Sequence, residues 1–293
     1  MFTTQKNEKG FTLVEMLVSM VIGIAVLGVT IYSYTKQDSV LREENTNVQF
    51  RDFARLALDA MVPDIRTTGY GMPPGDSSLA RAAQGIDVAS ATTLTYKANT
   101  DDITIYVAKD PSGATATSLV LPLNSTNGAM FVNDNVAFFD TQYPGRGNSP
   151  WRITAINTDV NLGDPQNYDI ITLNGQIGFA FLPIANGVPV VVNKYHTINI
   201  NYNAGAQTIT VTDDNGTDDG GGDDTTVIVA NNVSDLTFSY FDTDGIALTS
   251  LPLILADRGD VRRIQISVTV VNPDETSKTA TLSTHTHLRN MGL

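Results

Sequence analysis

Residues 11–34, FTLVEMLVSMVIGIAVLGVTIYSY, constrain this chain more than any other stretch. Twenty-four residues carry one charge, Glu15. As a helix rising about 1.5 Å per residue they reach roughly 36 Å, enough to cross a hydrocarbon core of about 30 Å. The first expectation is therefore a membrane-inserted helix with a polar body attached. Lys6 and Lys9 precede the apolar run and favour a cytoplasmic N-terminus. The run is longer than that of a secretory signal, and no A-x-A-like site follows it. A plain signal anchor accounts for all of this except Glu15. A carboxylate inside an apolar helix costs a few kcal/mol and usually has a partner. No basic residue lies nearby on the apolar side, but cleavage between Gly10 and Phe11 would create an amine four residues before Glu15.

These residues resemble a known family. KG followed by FTLVEMLVSMVIG is similar to the N-terminus of type IV prepilins and of type II secretion pseudopilins. The resemblance implies a leader over residues 1–10, cut after Gly10 by a prepilin peptidase. It implies N-methylation of Phe11 and an assembly role for Glu15. Many major pilins carry a helix-kinking proline late in the apolar run; here that region has Gly28 and no proline.

The helical pattern continues beyond Tyr34. Val40 or Leu41, Val48, Phe53, Ala57 and Met61 recur near a 3.6-residue period, with Arg42, Glu43, Glu44, Arg51, Asp52 and Arg55 on other faces. Pro63, then Gly69, Gly71 and Pro73-Pro74-Gly75, stop it. One helix is expected over about 11–65, lipid-facing across 11–34 and amphipathic across 35–66. The body then occupies 67–293. The segment DIRTTGYGMPPG resembles the one that follows this helix in PilW-type minor pilins. VANNVSDLTFSYFDTDG, RRIQISVTV and the final HLRNMGL resemble the closing segments of PilW-like proteins and of the larger type II minor pseudopilin. Residues 76–226 match no motif, which suggests a β-rich insertion.

The body reads as β. Candidate strands fall at 92–96, 103–108, 118–121, 135–140, 151–156, 169–173, 188–192, 197–202, 208–212, 226–230, 236–241, 261–271 and 279–288. They are short, rich in Thr and Val, and bounded by Gly, Asn, Asp and Pro. The clearest is 261–271, which puts Ile264, Ile266, Val268 and Val270 on one face. The expected fold class is α+β: a long N-terminal transmembrane and amphipathic helix packed on a largely antiparallel β-rich body.

About 230 residues follow the helix, ample for one large core or two smaller ones. The formal net charge is −13, and loss of Lys6, Glu8 and Lys9 with the leader would take it to about −14. A body this acidic lacks the Lys and Arg that phosphate backbones require, so no direct nucleic-acid binding is expected. There is no cysteine, so thiolate zinc sites and thiol nucleophiles are excluded.

Residues 213–224, DDNGTDDGGGDD, hold six aspartates in twelve positions. Asp213, Asn215, Asp218, Asp219, Asp223 and Asp224 are the calcium candidates, since a hard cation takes several oxygens from a flexible loop. The EF-hand pattern would need Gly and Glu where Asp218 and Asp224 stand. A solvated loop is the favoured reading, because like charges repel, and no cofactor is otherwise expected. Asp242-Thr243-Asp244-Gly245 reads as a hairpin turn. His285 and His287 share a strand face without a visible third ligand. No G-x-S-x-G, P-loop or dinucleotide fingerprint occurs, so no enzyme is expected.

The expected function is that of a minor pilin in the initiation, assembly or tip complex of a type IV pilus. The alternatives are a type II secretion minor pseudopilin and a filament-borne adhesin that binds calcium or another ligand. Expected partners are prepilin peptidase, other minor and major pilins, and the inner membrane. The expected location is a single inner-membrane pass with a cytoplasmic N-terminus and a periplasmic body, and later a pilus or pseudopilus.

Overall fold

The computed structural model describes residues 12–73, 85–109, 117–140, 148–163, 165–176, 190–217, 219–272 and 278–288. Gly10, Phe11 and Asp218 lie outside the described residues. The chain divides into two compact units, Met1–Gln49 and Phe50–Leu293. In the first, helix α1 (Leu13–Arg66) carries apolar side chains on every face, all exposed from Leu13 through Tyr34. Among the described residues α1 is the one helix long and apolar enough to cross a membrane.

The second unit takes up α1 at Phe50 and runs it to Arg66. Phe50, Ala54, Ala57, Leu58, Met61 and Ile65 are its buried face, at the spacing of a helical stripe. The register differs from the sequence reading, which put Phe53 on this face; Phe53 is 59% exposed. Both residues fit a 3.6-residue period. Ala54 and Ala57, fully buried, form a small-residue surface against which the sheets pack, and Phe50 extends that stripe. Pro63 is accommodated in the last turn, and Gly69 at φ 77° and Gly71 at φ 71° turn the chain away.

Two antiparallel sheets pack on this face of α1. One has the order β1-β2-β9-β10-β11, from Ile86–Ala89, Thr93–Ala98, His196–Asn203, Thr208–Asp213 and Thr225–Ala230. The other has the order β13-β12-β14-β15, from Ala247–Leu248, Val233–Phe241, Arg263–Val271 and Thr279–His287. Helix α2, Leu255–Arg258, precedes β14. Ile264, Ile266, Val268 and Val270 all point into this core, as their alternation predicts. Strands β1 and β13 escaped the sequence reading because they are four and two residues long. The Asp242–Gly245 turn joins β12 to β13, with Asp242 Oδ1 accepting the Asp244 and Ile246 N–H groups.

The unmatched middle is largely a second β body. Strands β3 (Thr104–Tyr106), β4 (Ser118–Pro122), β5 (Asn135–Asp140), β6 (Asn148–Asn161), β7 (Asn167–Leu173) and β8 (Val190–Lys194) form one antiparallel sheet in the order β3-β8-β5-β6-β7-β4. Its two ends meet: the Ala108 N–H donates to the Val120 carbonyl at 2.8 Å, and Lys109 bridges Val120. The sheet thus closes into a barrel around Leu119, Leu121, Val136, Phe138, Ile153 and Val192. This barrel is an insertion in a hairpin. Strands β2 and β9 are paired neighbours, and Ala98 sits directly opposite His196 in their register. The chain leaves for the barrel after Ala98 and returns at His196, where insertion disturbs neither strand.

Candidate functional site

Two places combine unusual chemistry with a defined geometry: the start of α1 and the junction where the barrel meets its host sheet.

At the start of α1, Thr12 and Glu15 form a reciprocal capping box. The Thr12 backbone N–H and hydroxyl donate to Glu15 Oε2 at 2.9 and 3.0 Å. The Glu15 N–H donates to Thr12 Oγ1 at 3.3 Å. The T-x-x-E signature satisfies helix N–H groups that have no intrahelical acceptor. The signature is visible in the sequence, where the missing cation draws attention away from it. The Glu15 carboxylate therefore has polar partners inside one chain, and the Thr12 N–H that holds it belongs to the residue next to Phe11. Further along, Ser19 donates to the Glu15 carbonyl at 2.7 Å. A Cβ added at Gly23 or Gly28 would meet nothing within 4 Å, so both leave open helix surface.

At the junction, His196 opens β9 and Lys194 closes β8, with only Tyr195 between them. His196 is buried between two carboxylates: Nδ1 lies 2.7 Å from Asp213 Oδ1, and Nε2 faces Asp101 Oδ2 at 3.1 Å. Lys194 Nζ reaches the same Asp101 oxygen at 3.3 Å and Asp134 Oδ1 at 3.6 Å. Asp214 Oδ1 accepts the Thr197 and Gly216 N–H groups, and its Oδ2 accepts Asn135 Nδ2. The Asn135 N–H donates to the Gly216 carbonyl at 2.7 Å. Two cations and four aspartates thus bind the barrel strands β5 and β8 to the host strands β9 and β10.

Burial opposes charge on His196, but the contacts with Asp213 and Asp101 outweigh it and hold the imidazole above the ordinary histidine range. Asp101 shows the same contest, and there too the contacts win, which for an acid means a lowered value. Burial would raise it, yet His196 and Lys194 hold it below the usual carboxylate range. For Asp134 and Asp214 burial dominates and both are raised, against the Phe131 N–H and Lys194 in one case and the Thr197 and Gly216 N–H groups in the other. Gly216 is wedged into the junction at φ 74°, where an added Cβ would lie 2.6 Å from Lys194 Cε.

The calcium candidates among the described residues fall in different surroundings. Asp213 is drawn into the junction with His196. Asn215 turns its Nδ2 to the Asp223 carbonyl and the Thr225 hydroxyl. Carboxylate oxygens of Asp219, Asp223 and Asp224 lie within 4.8 Å of one another and are exposed. His196, Asp213 and Asp214 form a second group at that spacing; there His196 Nδ1 is paired with Asp213 Oδ1, which also accepts the Asn215 N–H, and Asp214 Oδ1 accepts the Thr197 and Gly216 N–H groups. His285 and His287 are exposed on β15 with ring centroids 6.1 Å apart. A polar cavity of about 450 Å³ adjoins the junction, lined in part by Asp87, Lys97, Asn135, Asn199 and Asp224. Sequence reasoning missed Asp101, Asp134, Lys194 and His196 as a group, since no local spacing links the two aspartates to each other or to the Lys194–His196 pair.

Residues 5–31 match the family described as the prokaryotic N-terminal methylation motif. No curated protein and no solved structure matches the chain. The motif supports a type IV pilin-like or pseudopilin protein, processed by prepilin peptidase and associated with other pilins and the membrane. The apolar part of α1 fits anchoring in the inner membrane.

Proposed function

We propose that this chain is a minor pilin of the PilW type, acting in the initiation, assembly or tip complex of a type IV pilus. The observation that supports the reading is the match of residues 5–31 to the methylation motif; in this reading Gly10 and Phe11 flank the processing cut and Glu15 acts in assembly. Cleavage after Gly10 puts a cationic amine on Phe11, adjacent to the Thr12 N–H that binds Glu15. In a helix bundle that amine, from the same or a neighbouring chain, becomes the counter-charge for Glu15. Such a pair adds little net stability, but a subunit out of register leaves a buried charge unpaired at a cost of several kcal/mol. Ser19, Gly23 and Gly28 supply small surfaces for close helix approach. A body holding two hydrophobic cores is bulky for the repeating subunit of a thin filament, which favours a tip or initiation position.

Mass spectrometry of the native N-terminus tests the reading. The expected species begins with N-methylated Phe11; a protein from assembled material that still begins at Met1 overturns it. Glu15→Ala is expected to be cleaved normally and to fail in co-assembly. A bulky or charged residue in place of Gly10 is expected to block cleavage. A type II secretion pseudopilin shares all of this chemistry and differs in the machinery that the chain co-purifies with. The calcium-binding adhesin alternative draws on the Asp219, Asp223 and Asp224 carboxylates. Absence of heat on titrating millimolar calcium into the protein removes it.

A further inference from the structure

Among the described residues the two helix-covering sheets have four open edges, β1, β11, β13 and β15. Exposed edges normally carry charge, bulges or very short strands that discourage pairing. β1 is four residues long, with Asp87 and a register bulge, and β13 is two residues long. β15 turns Thr279, Thr281, Ser283, His285 and His287 outward. β11 is longer than β1 and β13 and has no charged side chain, and its one irregularity is a register shift against β10 at Val229. Its sequence is TTVIVA, with Val227 52% and Ile228 56% exposed on opposite faces, and it pairs only with β10. Beside it a groove of about 350 Å³ runs between β11 and the body-side turns of α1, lined by Phe50, Phe53, Leu56, Val229 and Ala230.

The segment of chain that contains β11 carries charge of one sign. Residues 195–257 contain ten aspartates and no Lys or Arg. Asp219, Asp223 and Asp224 cluster immediately before β11. A second copy of a chain at net −13 is a poor occupant for such a surface.

We propose that β11 is a strand-addition site for an extended segment of another filament subunit. That segment has alternating apolar residues and Lys or Arg at the end beside Asp223 and Asp224. The outward N–H and C=O groups of β11 bond its backbone. Val227 and Ile228 meet its side chains on the two faces, and the groove takes an apolar residue at its far end. Only the identity of the partner as a filament subunit rests on the proposed function; the edge chemistry does not.

The test uses the full chain in detergent micelles and two synthetic peptides of alternating Val and Thr. One carries two lysines at its N-terminal end, for parallel addition, and the other at its C-terminal end, for antiparallel addition. One of them is expected to slow amide hydrogen exchange across Thr225–Ala230. Its binding is expected to fall at least tenfold in the Ile228→Lys variant and to weaken with salt. Unchanged exchange in β12 and β14 shows that this variant is folded. Equal binding by Ile228→Lys, or by peptides with glutamates in place of the lysines, overturns the site. Because the chain has no cysteine, an Ile228→Cys variant can then be cross-linked in sheared filaments. A product with a strand of another subunit supports the proposal, and a product only with a second copy overturns it. An N-terminus remaining at Met1 while peptide binding persists overturns the filament reading and leaves the edge site standing.

Discussion

The two cores of the body are built on different principles. The helix-covering core joins residues far apart in the chain, from Phe50 to Leu288, and its organiser is the buried face of α1. The barrel core lies wholly within residues 105–192 and needs no helix, because the sheet closes on itself. Closure removes open edges from the barrel, whereas the helix-covering sheets keep theirs. One core is thus tied to the element that anchors the chain, and the other is a module suspended from a hairpin. The polar junction at His196 and Lys194 is where the two meet, aided by a small apolar contact of Met72 with Ala137 and Tyr195.

The largest expected effect separates the cores. Phe138 and Phe238 are both fully buried, one in each core. Phe138→Ala and Phe238→Ala should each cost about 3–5 kcal/mol in the core they damage. The sole tryptophan, Trp151, stacks on Phe138 with ring centroids 6.1 Å apart, so its fluorescence reports the barrel. In denaturant, Phe238→Ala should move the far-ultraviolet circular dichroism midpoint while leaving the Trp151 transition nearly in place. Coincident shifts of both signals in both variants would show one cooperative unit and break the comparison.

The two cores also differ in how far they could be read from sequence. Val261 through Val271 alternate so cleanly that their buried face was evident, and the apolar run of α1 needed only counting. The barrel strands were recognisable one by one, but nothing local tells Ala108 to pair with Val120, or Ala98 with His196 across an intervening barrel. Pairing partners are set by turn geometry and by which faces must be buried together, and neither is written in a single strand. Phe50 and Phe53 both satisfy the helical period, so the period alone does not choose between them; the neighbours Ala54 and Ala57 decide it. At the candidate sites, the Thr12–Glu15 box was legible and went unread. The junction was not legible: Asp101 and Asp134 come from segments far from the Lys194–His196 pair, and only the folded chain brings them together.

The next effect addresses the link between cores. Lys194→Met leaves Asp134, 1% exposed, facing Asp101 without its nearest cation. A loss of about 1.5–3 kcal/mol is expected, the scale of charged hydrogen bonds, with relief available because Asp101 is partly open to water. Gly216→Ala should cost about 1–3 kcal/mol, since the position is held at φ 74° and the new methyl meets Lys194. Unlike the phenylalanine variants, both should lower the Trp151 signal and the circular dichroism together. A shift in only one signal would mean that the junction belongs to a single core.

The smallest effect is a dependence on pH, and its sign follows from the protons bound. The folded chain holds His196 above its ordinary value of 6.5. It therefore binds more protons than the unfolded chain in the interval between the two values, and stability must fall as pH rises through it. The stabilisation from His196 is complete below the unfolded value and gone above the folded one. Asp213 and Asp101 face the ring from its two nitrogens, and Lys194 and Asp214 are the nearest other charges. Asp134 and Asp214, also raised, act in the same direction but at acidic pH, where Asp101 opposes them. The stability difference between the wild-type chain and His196→Gln should therefore be largest near pH 6 and shrink toward alkaline pH. A nuclear magnetic resonance titration of His196 should give a midpoint above 6.5, while the same titration in Asp213→Asn should move it down. A midpoint below 6.5 in the wild-type chain would mean that burial outweighs the two carboxylates, and that Lys194 is the junction's one cation at neutral pH.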